Sequence, residues 1–221
     1  MGAVTTLDDL AVRAAALASD PVRPALLGLV GPPGAGKSTV GEHLAAALTA
    51  RGVAVVRVPM DGFHLADAEL VRLGRRDRKG AIDTFDAAGY ASVLARTRTE
   101  TDGTVYAPDF DRTVEQPIAG SIPVPPGTRL VLTEGNYLLD PHPAWRAVRA
   151  LLDEVWYCDL DDEVRRARLV ERHVRFGKAP DAARAWVATV DEPNAARIAA
   201  GRDAADLVVD VLALALRPGR D

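Results

Sequence analysis

The chain has 221 residues, 48% of them hydrophobic and 26% charged, with a net charge of −4 at pH 7. That length fits one α/β domain with a sizeable core, and the acidic balance argues against a nucleic-acid partner, which normally leaves a basic footprint. One cysteine, Cys158, excludes a disulfide framework or a cysteine-based metal centre, and no apolar run reaches the ~18–20 residues that span a bilayer.

Leu7, Leu10, Val12, Ala14 and Leu17 predict a first helix, closed by Pro21 and Pro24. Asp8, Asp9 and Arg13 inside it exclude a signal peptide, so a soluble, cytoplasmic protein is expected with no membrane partner. The run ALLGLV at 25–30 reads as a buried strand. Residues 31–39, GPPGAGKST, then fit G-x-x-x-x-G-K-[ST], the phosphate-binding loop. A helix over 39–50, with Val40, Leu44, Ala47 and Leu48 on one face, supplies the strand–loop–helix order that motif requires.

The chemistry follows from the residue types. Glycines let the loop curl so that consecutive N–H groups point at one anion, and the positive end of the next helix adds to that field. Gly31, Gly34, Ala35, Gly36, Lys37, Ser38 and Thr39 are therefore candidate contacts to a nucleoside triphosphate, ATP by default. Lys37 reaches the β- and γ-phosphates, and the Ser38 hydroxyl is a candidate Mg²⁺ ligand.

Four more apolar, β-branched runs at 53–58, 130–133, 154–160 and 207–211 read as buried parallel strands, and Cys158 falls inside the third. Helical stretches at 65–73, 86–97, 143–152, 161–175 and 181–200 lie between them. Such alternation predicts a doubly wound α/β sheet of about five parallel strands, covered by helices on both faces. Residues 102–128 interrupt it with five prolines, and the pieces 104–106 and Gln116–Val124 are expected to form a small hairpin at the sheet margin.

The second strand runs into Pro59, Met60, Asp61, Gly62, Phe63 and His64. Placed beside the loop strand, its carboxyl edge would hold Asp61 next to the phosphates, where a phosphoryl acceptor needs a carboxylate to take its proton. The plainer alternative is that Asp61 caps the next helix. Glu134 ends the strand at 130–133 and occupies the place of a magnesium-binding acid, or is an ordinary strand-end carboxylate. Asn136 and Tyr137 lie on the same rim. His64 and His173 lack any metal-ligand spacing and are expected to make polar contacts.

Arg165, Arg168, Arg172 and Arg175 fall on one helical face within about an 80° arc. Val164, Ala167, Val170 and Val174 occupy another face, by which the helix would dock. The arginine row is either solvated surface or a set of cations delivered to a phosphoryl group. A second cluster, Arg72, Arg75, Arg76, Arg78 and Lys79, either attracts an anion or forms an exposed loop.

Together, GPPGAGKST, then MDGFH at 60–64, then LTEGNY at 132–137, resemble the phosphoribulokinase/uridine kinase group, which also includes bacterial pantothenate kinases and fructose-kinase-like members. The likeness spans about residues 25–211. It implies one P-loop NTPase domain over 1–221, with a helical lid at about 161–180 and an acceptor-side insertion at about 102–128. It implies ATP-dependent, magnesium-dependent phosphorylation of a small-molecule hydroxyl: a nucleoside, a sugar or a pantothenate-like alcohol. A nucleoside monophosphate kinase and a non-catalytic ATP-binding regulator are the alternatives. The resemblance puts the base on Asp61 and the lid cations on Arg168 and Arg172. It places His64, Phe85, Tyr106, Glu134, Asn136, Tyr137 and Asn194 around the acceptor, with Asp83 as a further candidate. Pro108 stands where pantothenate kinases carry a histidine, a departure from that subgroup. The group often forms dimers or tetramers, so a homodimer is expected.

Overall fold

The computed structural model describes residues 6–20, 22–100 and 102–216, so Pro21 lies outside the described residues. Five parallel strands form one sheet: β1 (Ala25–Val30), β2 (Val55–Arg57), β5 (Leu130–Gly135), β6 (Glu154–Asp159) and β7 (Leu207–Asp210). Their spatial order is β2-β5-β1-β6-β7. β3 (Val105–Asp111) and β4 (Gln116–Val124) pair antiparallel as a separate hairpin. It is longer than expected on its first arm, and its register shifts at Pro108, which has no N–H to give to the ladder.

Alternation along the central strands divides the core in two. Leu26, Val30, Val131, Val155 and Tyr157 face α4 (Ala87–Thr99), α5 (Pro143–Arg149) and α8 (Glu192–Ala199). Leu27, Leu29, Leu132, Trp156 and Cys158 face α1 (Leu7–Leu17) and α2 (Lys37–Ala50). Each fully buried Leu or Val contributes about 1.5–3 kcal/mol, which is why the central strands are continuously apolar. Cys158 is buried, and burial pushes its thiol up to about 12.

Two expectations about the sheet need correction. The sequence reading puts β2 against β1, but β5 lies between them. β2 is an edge strand whose three residues are only half-buried, because one side of it meets no further strand. The helix expected over 65–73 begins later, as α3 (Asp67–Arg72). The single helix expected over 181–200 is α7 (Pro180–Trp186), a π-turn at Val187–Asp191, then α8. α6 (Asp162–Arg175) is capped by Asp161, whose carboxylate accepts from the N–H groups of Glu163 and Val164.

Candidate active site

The loop between β1 and α2 leaves the carboxyl edge of the central strand and lies under α6. Gly34 has φ +81°, and a Cβ there would fall 2.8 Å from Leu169 Cγ. Only glycine tolerates both the left-handed backbone and that approach. Lys37 curls over its own loop, Nζ donating to the carbonyls of Gly31 at 2.8 Å and Pro32 at 3.1 Å. Burial holds its pKa below the usual lysine value, and nearby Arg172 adds to that effect against the pull of Glu134 and Asp61.

β5 runs beside β1 in a register that sets Glu134 opposite Leu29. Its carboxylate accepts from Ser38 Oγ at 2.9 Å and from Arg57 at 3.2 Å. The two residues expected to hold magnesium, 96 positions apart, are therefore in direct contact. Burial raises the Glu134 carboxyl above its ordinary range, outweighing Arg57, Lys37 and the Ser38 hydrogen bond. Arg57 was not foreseen. The only sequence signal for it is its place as a lone cation in the apolar run 53–58, which the reading of that run as a buried strand passed over.

Asp61 reaches the same place by a less direct route. After β2 the chain makes a 3₁₀ turn, Met60–Phe63, which crosses the end of β5. The crossing is tight: a Cβ on Gly135 would sit 2.6 Å from Met60 Sδ. The turn carries Asp61 over the intervening strand, so the displaced position of β2 does not remove it from the site. Asp61 caps nothing here, since α3 starts after Ala66 with no side-chain cap. Gly62 meets the hairpin, and a Cβ on it would fall 2.7 Å from the Pro108 carbonyl carbon.

These elements enclose a cleft of about 480 Å³, counting space open to solvent, lined by Pro33, Gly34, Lys37, Ser38, Asp61, Arg112, Glu134, Gly135, Asn136 and Arg172. Arg112, on the hairpin turn, places a guanidinium nitrogen 3.6 Å from Asp61 Oδ2. It too was missed, although it is the sole cation between positions 102 and 128.

The arginine row on α6 divides. Arg172 lines the cleft. Arg168 is exposed, with a guanidinium nitrogen 3.9 Å from a Cβ built on Gly36 of the loop. Arg175 is exposed. Arg165 is only 1% exposed and does not join the row, because Asp162 at 2.9 Å and Glu192 neutralise it against the loop. The docking face also differs from the one expected: Arg165 and Leu169 are buried, whereas Ala167 and Val174 are exposed.

Of the expected acceptor residues, Glu134 and Asn136 line the cleft, and five do not: His64, Phe85, Tyr106, Tyr137 and Asn194. Tyr106 projects from β3 and is 58% exposed. Phe85 and Tyr137 are built into an aromatic core with Trp145, centroids 5.6–6.1 Å apart. The Tyr137 hydroxyl lies 2.7 Å from the Gly80 carbonyl and 3.1 Å from Asn194 Oδ1, so it fixes Asn194, which sits inside α8. His64 stands behind Asp61, Nδ1 2.8 Å from the Asp61 carbonyl oxygen, its ring against Phe85 and Phe110. Burial lowers its pKa. His173 contacts Asp191 at 2.8 Å. The cations at 72–79 are paired with Glu69, Asp67 and Asp83, which leaves Asp83 engaged by Arg75 and Arg78.

No protein-family model matches the chain. A "putative uridine kinase" of Schizosaccharomyces pombe is 38% identical over 180 residues, covering 79% of this chain and 76% of that protein. The chain belongs to the phosphoribulokinase/uridine kinase-like group of P-loop kinases. An "ATP-dependent kinase-like protein" of Aspergillus versicolor is 39% identical over 133 residues, 57% of this chain and 77% of its own. The crystal structure of a "putative fructose transport system kinase" from Silicibacter sp. TM1040 superposes with a TM-score of 0.84 at 39% identity, covering 92% of this chain and 98% of that one. Among the described residues of this P-loop kinase, no helix is long and apolar enough to cross a membrane.

Proposed function

We propose that this P-loop kinase transfers the γ-phosphoryl group of ATP to a hydroxyl of a small metabolite, with Asp61 as the base. One observation carries the reading: Lys37 and Ser38 from the loop, Glu134 from β5 and Asp61 from the turn after β2 converge on a single cleft.

The triphosphate lies on residues 34–39, where the first-turn N–H groups of α2 have no helical partner of their own. Lys37 leaves the loop carbonyls it now contacts and takes the β- and γ-phosphates. Among the described residues no three His, Cys, Asp or Glu side chains are grouped to hold a metal by themselves. The Ser38 hydroxyl and Glu134 carboxylate are hard oxygen donors in contact, a pair suited to Mg²⁺ that keeps waters and phosphates as its other ligands. Bound there, magnesium supplies neutralisation of phosphate charge.

Asp61 orients the acceptor hydroxyl and accepts its proton. The hydroxyl oxygen bonds to the γ-phosphorus as the bond to the β,γ-bridging oxygen breaks, and ADP leaves. Arg172 and Arg168, on a lid at 161–180, stabilise the transferring group. The insertion at 102–128 closes the acceptor side, and 1–221 works as one kinase domain.

The test is ADP release from MgATP against nucleosides, free sugars, pantothenate, hydroxy acids and monophosphates. The reading expects at least one compound to stimulate turnover. Saturable ATP binding with no stimulation by any of them favours a binding protein instead.

A further inference from the structure

We propose that Arg112 is the specificity residue of the acceptor pocket, and that the acceptor is a small hydroxylated anion whose carboxylate or phosphate it binds. This rests on the kinase reading above.

The guanidinium stands 3.6 Å from Asp61 Oδ2, and both side chains are half-exposed to the same cleft. The spacing is an ion pair beyond hydrogen-bond length, and exposed pairs of this kind are weak. An incoming carboxylate or phosphate offers Arg112 two oxygens in the geometry a guanidinium prefers. The exchange releases Asp61 to the hydroxyl a few bonds away on the same molecule.

The turn that carries Arg112 is also held in place before any ligand arrives. Asp111 accepts from the N–H groups of Thr113 and Val114, which shapes the turn. Lys79 reaches the Glu115 carbonyl, and Gln116 Oε1 accepts from the Asp67 N–H at 3.1 Å. Pro108 abuts Gly62. These contacts tie both flanks of the turn to the body that carries Asp61.

The rest of the pocket argues against a neutral nucleoside. Among the described residues, those lining the cleft include no aromatic side chain on which a base would stack. Neither hairpin aromatic lines it: Tyr106 is exposed and Phe110 packs against the His64 ring, while Phe85 and Tyr137 are core. The acceptor side is Asp61, Arg112 and Asn136, all polar.

The experiment uses matched compounds: glycerate and glycerol 3-phosphate against glycerol, and fructose 6-phosphate against fructose, with uridine as the nucleoside. Wild type, Arg112→Ala and Arg112→Lys are compared in MgATP turnover. The expected result is turnover of a carboxylate or a phosphate but not of its neutral counterpart. Arg112→Ala then raises its KM roughly 10- to 100-fold, as expected for loss of a charge-assisted pair, and Arg112→Lys falls between. A merely structural arginine would lower kcat alike for every acceptor and leave KM unchanged.

A second arm needs no turnover. Enzyme saturated with Mg²⁺ and a non-hydrolysable ATP analogue is titrated with the three anions by thermal shift. Wild type is stabilised by at least one and Arg112→Ala is not. The proposal is overturned by equal shifts in the two proteins, by no shift in wild type, or by a neutral acceptor used equally well by both. Absence of ADP release with every compound defeats the kinase reading instead, and the binding arm still scores Arg112.

Discussion

Replacing Gly62 with alanine should break the site without touching a charged residue. The added Cβ would lie 2.7 Å from the Pro108 carbonyl carbon, and closer still to its oxygen. Ordinary carbon contacts are about 3.5–4.0 Å, so the hairpin must withdraw by roughly 1 Å. Overpacking of this kind costs about 1–3 kcal/mol. At about 2–4 °C per kcal/mol for a chain of this length, the midpoint of thermal unfolding falls by roughly 2–12 °C. The withdrawal also moves Arg112 off Asp61, and a 1 Å displacement in an active site costs on the order of 10² in rate. Differential scanning fluorimetry gives the first number and ADP release the second. Gly103→Ala is the control, since a Cβ there meets nothing within 4 Å. A Gly62→Ala protein that melts and turns over like wild type would refute the placement of the hairpin against the 60–63 turn.

Two further outcomes follow from buried charge. Burial holds the folded-state pKa of Glu134 above its unfolded value, so the folded protein binds more protons than the unfolded chain between those two values. Glu134 therefore leaves stability untouched below the unfolded pKa and lowers it as pH rises through the folded one. Glu134→Gln should accordingly melt higher than wild type at pH 7.5 without ligands, the gap closing as pH falls toward about 4.5. It should also lose turnover, and a variant destabilised at pH 7.5 would contradict the burial argument. Arg165→Ala should cost about 3 kcal/mol, the low end for breaking a buried pair, because Glu192 keeps Arg166. Arg165→Met, which preserves bulk, should cost less by urea denaturation.

What was legible in the sequence was what is contiguous. The phosphate-binding loop is spelled out by nine adjacent residues, and its flanking strand and helix carry their own hydrophobic periods. Glu134 and Asp61 were found because each ends an apolar run, and strand ends gather at one edge of a parallel sheet. Strand order was not legible. Nothing local says that β5 slips between β1 and β2, and Asp61 reaches the cleft only because the Met60–Phe63 turn crosses β5. The helical period placed Arg165 on the arc of Arg168 and Arg172. Its burial was decided by Glu192, 27 positions away. Tyr137 looked like a rim residue because it follows Glu134 closely, but its ring is claimed by Phe85 and Trp145. Arg112 was missed because it sits in a hairpin turn with no period to read, its only signal being its isolation among the acidic residues of 102–128.

The most direct test of phosphoryl transfer with Asp61 as base is a comparison of wild type with Asp61→Asn. Transfer of the labelled γ-phosphoryl group of ATP to the acceptor would be followed under single-turnover conditions, with ATP affinity measured in parallel. Transfer should fall by about 10²–10⁴ in the variant while ATP affinity stays within a factor of about two, as expected for loss of a general base outside the nucleotide contacts. Equal transfer rates in the two proteins would contradict the assignment of Asp61 and, with it, the mechanism.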